Sequence, residues 1–424
     1  MQYKGYMDTI FIIGAGINRS VQGPDNIMPP LAHDFFRQVL RHPRLAEDFK
    51  QGQLSPLLDY IFRYWRLDLS QLETNNFDLE ECYTFIELQR RESYFKGDSD
   101  GLAQMSRIQS LLTSLLLDYL SECEHWFYNA PAFIELGRVI LQTNSGVLTF
   151  NYDTLLESVI ENVSPPNKNA LEALTKREHS MAQKRVESSN IMRQQGLSEE
   201  EISNNVYDYD AITDEHIAYS FHQWNSYLAY RVRFDEVALR VPGLLRIVPG
   251  TQYYNHPSNT LEHMPFLKLH GSLGWFIHSG YRIDGERLTN NENIKEGKTV
   301  LRRSSARFNM PEIDYSYAEV LLPLILTPVL NKPYDEHPVF QTIWAEARKE
   351  LEKCRRLVIG GYSFPPTDFH VRRLLREAFC EHHLEELCVI NPDTSVVPRA
   401  KDMCNYQGSV LVCSNLEEFI KKGI

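Results

Sequence analysis

Five segments of this chain set a small or chemically active residue directly after a short apolar run. They are Phe-Ile-Ile-Gly-Ala-Gly-Ile-Asn (Phe11 to Asn18), Thr-Phe-Asn-Tyr-Asp (Thr149 to Asp153), Lys-Leu-His-Gly-Ser (Lys268 to Ser272), Val-Ile-Gly-Gly-Tyr-Ser (Val358 to Ser363) and Val-Ile-Asn-Pro-Asp (Val389 to Asp393). Runs this short, β-branched and apolar on both faces suit strands covered by helices on either side, which is the setting of a parallel sheet. The carboxyl edge of such a sheet is where open α/β proteins bind their ligands.

The second half alternates with the period of βαβ units. Strands at Leu324 to Thr327, Arg356 to Ile359, Leu387 to Ile390 and Val410 to Val412 are separated by helices at Val339 to Cys354, Asp368 to Phe379, near Arg399 and, last, at Leu416 to Lys422. Strands spaced by helices of 10–15 residues imply right-handed crossovers. The N-terminal strand, Thr9 to Ile13, is instead followed by a long helical stretch: Leu31 to Leu40, Leu57 to Trp65 behind Ser55-Pro56, Glu80 to Arg91, and Ile108 to Phe127. The fold class expected is α/β, a Rossmann-like parallel sheet with helices on both faces and large helical insertions. Residues 1–30, 140–162 and 260–424 form the sheet domain, with 31–139 a helical insertion and 163–259 a second, mostly helical one. Within the second, the polar run from Ser164 to Asn205 reads as exposed helices, and the aromatic run Ile217 to Val237 as a helix packed on the main domain. Asp284 to Ser305 reads as a surface loop or hairpin.

Charge and cysteine usage narrow the function classes. With 44 Lys and Arg against 56 Asp and Glu, a net charge of −12 argues against a free-standing phosphate-tracking face, so no direct nucleic-acid partner is expected. The most apolar helix, near Leu111 to Leu120, carries Thr113, Ser114 and Asp118 and falls short of the ~20 apolar residues of a membrane span. Without a secretory pattern at the start, a cytoplasmic protein is expected. Seven cysteines lie scattered with no Cys-x-x-Cys pair, which suits reduced buried thiols better than disulfides or zinc.

Each strand-end motif admits a chemical and a packing role. Gly14, Ala15 and Gly16 lie at a strand-to-helix turn, where the lack of a Cβ serves approach to a pyrophosphate or tight packing alike. Arg19 stands where a dehydrogenase fingerprint has its third glycine, and no acidic residue closes a second strand about 20 residues on, which disfavours hydride transfer. Asn151 presents a donor and an acceptor in one plane, fit to hold ribose hydroxyls or a water, or to form a turn. Asp153 suits a capping or supporting position beside it. His270 closes an apolar strand and serves either as a general base, with a pKa near neutrality, or as a satisfied core histidine. Gly360, Gly361 and Ser363 form a second small-residue turn able to line a nucleotide, and Asn391 and Asp393 suit adenosine ribose hydroxyls or ordinary turn chemistry.

Taken together, the order Gly-Ala-Gly, Asn-x-Asp, Leu-His-Gly, Gly-x-Ser and Ile-Asn resembles the sirtuins, whose fold is a Rossmann-like NAD-binding domain. The chain looks most like the bacterial sirtuin-like NAD hydrolases of anti-phage defence. The resemblance covers roughly the first 30 residues, Gly146 to Glu161 and Pro265 to the end. It implies Asn151 and His270 as the catalytic pair, Gly14, Ala15 and Gly16 at the diphosphate, and Ser363 and Asn391 at the adenosine half. Gly271 to Ile325 holds no cysteine, so the zinc module of sirtuin deacylases is missing and no zinc is expected. Asn18 stands near the family's usual serine, and Gly23-Pro24-Asp25-Asn26 only partly echoes its Pro-Asp-Phe-Arg run.

The activity implied is hydrolysis of NAD at the nicotinamide–ribose bond, with NAD as substrate rather than resident cofactor and nicotinamide and ADP-ribose as products. Two alternatives stand beside it: a non-catalytic subunit sensing NAD or ADP-ribose, and a protein deacylase or ADP-ribosyltransferase. The resemblance further implies a homo-oligomer, activation on infection and, for some members, a hexameric HerA-type ATPase partner. The chain carries no Gly-x-x-x-x-Gly-Lys-Ser/Thr loop of its own.

Overall fold

The computed structural model describes residues 8–127, 130–143, 145–164, 186–199 apart from 188, 202, 228–249 apart from 233, 242 and 243, 264–279, 298–303, 313–314, 319–329, 332, 334, 337–365 and 368–423. Its centre is a parallel sheet. The strands β1 (Thr9–Ile13), β2 (Gly146–Thr149), β3 (Leu228–Ala229), β6 (Met264–Lys268), β11 (Arg356–Gly360), β12 (Glu386–Ile390) and β13 (Val410–Cys413) lie in the order β13-β12-β11-β1-β2-β6-β3. All five residues of β1 are buried, and so are all of β2 and β6. This is the burial that two-sided apolar runs require. From β1 the chain builds outward through β2 and β6, then returns to the other side of β1 for β11, so the topological switch point lies between β1 and β11. The chain is an α/β protein of Rossmann-like type with helical insertions.

The insertion between β1 and β2 is helical: α1 (Phe35–Arg41), α2 (Pro43–Lys50), α3 (Ser55–Trp65), α4 (Leu69–Thr74), α5 (Leu79–Lys96), α6 (Ser99–Phe127) and α7 (Pro131–Gln142). Pro56 sits in the first turn of α3, where its missing N–H costs nothing. After β2 comes α8 (Leu155–Val163), and the C-terminal units supply α9 (Pro338–Leu351), α10 (Phe369–Ala378), α11 (Val396–Met403) and α12 (Leu416–Lys422). Phe419 of α12 meets Phe11 of β1 edge to face at 6.2 Å. The Trp344 indole of α9 donates to the Leu269 carbonyl at 3.0 Å. Each such fully buried aromatic contributes about 2–3 kcal/mol by burial.

A second sheet departs from expectation. The strands β4 (Glu236–Val241), β5 (Leu244–Pro249), β7 (Gly271–Ser279), β8 (Thr299–Arg303), β9 (Ile313–Asp314) and β10 (Glu319–Ile325) lie in the order β5-β4-β8-β7-β10-β9, antiparallel except for the β4–β8 pair. Leu324, read from sequence as part of the parallel sheet, lies in β10, which pairs antiparallel with β7 with a register shift between Pro323 and Ile325. The expected helix Ile217 to Val237 is not helical where it is described, since Leu228–Ala229 and the start of β4 are strands. Of its described aromatic residues, Tyr230 and Phe234 pack on the Trp275 indole at 5.2 and 5.3 Å. The stretch expected to form a mostly helical second insertion thus supplies β3, β4 and β5, while 189–194 is helical. Lys176-Arg177-Glu178, Met181 to Arg185 and most of Asp284 to Ser305 lie outside the described residues. Among the described residues, no helix is long and apolar enough to cross a membrane.

Candidate functional site

The register of two neighbouring strands sets the site. Thr149 of β2 pairs with Lys268 of β6, and the Leu269 amide donates to the Thr149 carbonyl at 2.9 Å. Asn151 and His270 therefore leave the sheet at equivalent positions on the same carboxyl edge. Asn151 is held by its own amide, which donates to the Thr149 hydroxyl at 3.1 Å. The chain turns sharply after His270 because Gly271 has φ +86°, and a Cβ there would come 2.3 Å from the Leu324 carbonyl oxygen. That turn takes the chain from the parallel sheet into β7, while the Leu326 amide donates to the His270 carbonyl at 2.8 Å.

Both side chains are buried, and each carries a polar atom without a hydrogen-bond partner: Asn151 Oδ1 and His270 Nε2. Orphaned buried acceptors cost roughly 1–3 kcal/mol each and call for an explanation. The imidazole packs against the two residues that flank Asn151. Its ring centroid is 5.1 Å from Phe150 and 6.3 Å from Tyr152. Burial first, and the Lys332 ammonium next, push His270 down to about 3, against the pull of Asp368. At neutral pH the ring is uncharged and one of its nitrogens is an acceptor for a hydrogen bond, with a basicity well below the near-neutral value expected from sequence.

Behind Phe150 lies a polar network. Tyr362 stacks on Phe150 at 4.4 Å and donates its hydroxyl to Asp368 Oδ2 at 2.8 Å. Lys332 is paired with Asp368 Oδ1, and Glu80 of the helical insertion stands 3.8 Å from the same ammonium. Burial acts to raise the Asp368 carboxyl, but with His270 neutral the Lys332 ammonium and the Tyr362 hydroxyl hold it below the usual carboxylate range.

On the other side, Asn18 and Asp153 meet: the Asn18 amide donates to Asp153 Oδ2 at 3.0 Å, and Asp153 Oδ1 accepts from the Leu155 amide at 3.2 Å. Asp153 thus caps α8 and anchors the turn after β1. Burial raises its carboxyl against the nearby Lys268. Lys268 is fully buried, paired with Glu157 at 2.7 Å and bonded to the Asp153 carbonyl. The amide and hydroxyl of Thr154 both go to Glu124 of α6, at 2.9 and 2.7 Å.

At the switch point, the two glycine turns close on each other. Gly14 donates to the Gly360 carbonyl and Gly16 to the Gly361 carbonyl, each at 2.9 Å. A Cβ on Gly16 would lie 2.6 Å from the Gly361 oxygen, and one on Gly361, with φ +64°, would lie 1.8 Å from the Ile17 nitrogen. Backbone packing therefore accounts for Gly14, Gly16 and Gly361, with Ala15 left exposed in the turn between the first two. Ser363 is exposed. Asn391 and Asp393 are engaged in turn chemistry. Asn391 Oδ1 accepts from the Asp393 amide at 3.0 Å, and the Asp393 carboxylate takes the amide and hydroxyl of Ser395 at 2.9 and 2.8 Å.

The sequence reading did not single out Lys268, Glu157, Glu124, Lys332, Asp368 or Tyr362. Lys268 gave a signal, because a lysine inside a strand covered on both faces needs a buried partner. Lys332 and Asp368 gave none, since the contact joins distant stretches of chain. Fold and edge together define the chain as a Rossmann-like α/β protein with a buried asparagine–histidine pair at its strand ends. No protein-family model matches the chain, and no curated protein matches it.

Proposed function

We propose that this chain is an NAD+ glycohydrolase that cleaves the nicotinamide–ribose bond, as its resemblance to the sirtuin-like NAD hydrolases implies. One observation carries the reading: Asn151 Oδ1 and His270 Nε2 are unpartnered, buried and set at equivalent ends of adjacent parallel strands. Buried polar atoms left without a partner at strand ends are what a polar ligand would satisfy. Nicotinamide leaves as a neutral ring, taking the bonding pair from the ribose carbon, so acid help to the leaving group is unnecessary. The demand is to stabilise an oxocarbenium-like sugar and to aim a water. In this reading Asn151 orients the ribose and the water. His270, neutral at pH 7, takes the proton as the water oxygen bonds to the anomeric carbon, giving ADP-ribose.

The wider expectations belong to the same proposal: an anti-phage effector acting as a homo-oligomer, with a HerA-type ATPase as a partner in some systems. Support for assembly comes from the exposed apolar residues Leu88, Tyr94 and Phe95 of α5, which are 60, 69 and 83% exposed. The purified protein incubated with NAD should release nicotinamide and ADP-ribose, and Asn151→Ala and His270→Ala should each abolish release while the fold persists. Unchanged NAD consumption in both variants removes the mechanism. NAD binding without turnover favours a sensing subunit, and nicotinamide release that needs an acylated peptide favours a deacylase.

A further inference from the structure

Asp368 occupies the position before the first turn of α10, where an aspartate ordinarily accepts a helix amide, yet its side chain makes no capping bond. Both of its oxygens turn inward, one to the Tyr362 hydroxyl and one to Lys332. The helix forgoes a cap of about 1 kcal/mol so that a charged pair, each member 5% exposed, can sit behind the site. From that pair a chain of contacts runs without a break to the histidine: Lys332 to Asp368, Asp368 to Tyr362, Tyr362 stacked on Phe150, and Phe150 against His270. In the other direction Lys332 reaches Glu80, at the start of α5.

We propose that Lys332 is a positioning residue for His270: clamped between Asp368 and Glu80, it fixes the Tyr362–Phe150 stack on which the imidazole rests and joins the helical insertion to the site. This deepens the glycohydrolase reading and rests on it for its kinetic consequence only. The charged and titratable groups that bear on the imidazole are Lys332, Asp368 and His370. Phe150 and Tyr152 pack on the ring, and α9 contributes the Trp344 bond to the adjoining Leu269 carbonyl. Burial is the larger cause of the ring's neutrality and the Lys332 ammonium adds to it, because a like charge in a poorly solvated site disfavours the imidazolium. Its removal takes away the larger like-charge contribution and leaves Asp368, bonded to Tyr362, facing the histidine beside His370.

The test is histidine-labelled NMR of the full chain, with the His270 resonance assigned by its loss in His270→Gln, run beside NAD turnover across pH. In the wild type, His270 stays neutral to the acid end of the titration. Lys332→Met should raise its protonation midpoint by at least about one pH unit, and Lys332→Arg should restore most of the original behaviour. Tyr362→Phe keeps the ring and removes only the hydroxyl bond to Asp368. It should shift the midpoint the same way by a smaller amount, and it decides the matter should Lys332→Met not fold. Turnover in Lys332→Met should fall roughly tenfold in kcat with KM within about twofold, and activity should be lost on the acid side. A midpoint unmoved in Lys332→Met and in Tyr362→Phe overturns the proposal. A wild type that does not consume NAD removes the glycohydrolase reading instead, and the titration still decides this one.

Discussion

The Asn18 side-chain amide donates to Asp153 Oδ2 at 3.0 Å, tying the turn after β1 to the turn after β2 across 135 residues of sequence. Asp153 is buried, and it also caps α8, which begins directly beyond the Asn151 turn. Replacing Asn18 with Ala leaves a buried carboxylate short of one donor, at a cost of about 1–3 kcal/mol. Urea unfolding should show a lower midpoint with an unchanged slope. Asn18→Asp should be worse, since it sets two carboxylates against each other, and a midpoint equal to wild type in both would show that the bond is dispensable.

The glycine turns make a sharper comparison. Gly361 and Gly97 share nearly the same φ, +64° and +68°, but an added Cβ meets the Ile17 nitrogen at 1.8 Å in the first and nothing within 4 Å in the second. Gly97→Ala should therefore cost only the left-handed backbone penalty of about 1–2 kcal/mol. Gly361→Ala should cost several kcal/mol or prevent folding, because neither backbone can withdraw. Equal losses of melting temperature would mean that the β1 and β11 turns separate easily, and with them the packing account of Gly16.

What the sequence disclosed follows from how local each signal is. The runs Thr9–Ile13 and Arg356–Gly360 declare a covered parallel strand by their own residues, and the strand ends at Asn151 and His270 follow from them. Tyr230 and Phe234 carry no such local mark. Their spacing fits a helix face, and only the distant Trp275 gives them another purpose. The same holds for Leu324, whose run reads alike in either sheet until the Gly271 turn places β7 beside it. Asn391 and Asp393 illustrate the reverse: the turn chemistry of Asn-Pro-Asp was visible, and it is what occupies both side chains.

Glu124 gives a pH dependence with a definite sign. Burial raises its carboxyl to about 7, although the Thr154 amide and hydroxyl oppose the rise. The folded state thus holds this proton up to a higher pH than the unfolded chain, whose glutamate ordinarily titrates near 4.5. Stability contributed here is full below about 4.5 and lost as pH rises through about 7. Glu124→Gln keeps an acceptor for Thr154 and removes the titration. The variant should gain on wild type by about 2 kcal/mol between pH 5 and pH 8 in denaturant unfolding. Parallel stability curves for the two proteins would place the Glu124 proton elsewhere.

Lys268 poses the largest energetic question, because it sits in the strand that delivers His270. Its ammonium is fully buried and serves Glu157 at 2.7 Å together with the Asp153 carbonyl. Burial raises the Glu157 carboxyl, and Lys268 is the main force holding it down. Removing the lysine alone strands a carboxylate in the core, so Lys268→Met should cost about 3–5 kcal/mol. Most of that cost is the penalty on the partner left behind, so the further change Glu157→Gln should return a good part of it. A double-mutant cycle measures the difference, and a coupling of at least about 1–2 kcal/mol is expected for groups in direct contact. Additive losses would mean that Glu157 already holds a proton beside Lys268, and that the strand end is secured by the bond to the Asp153 carbonyl alone.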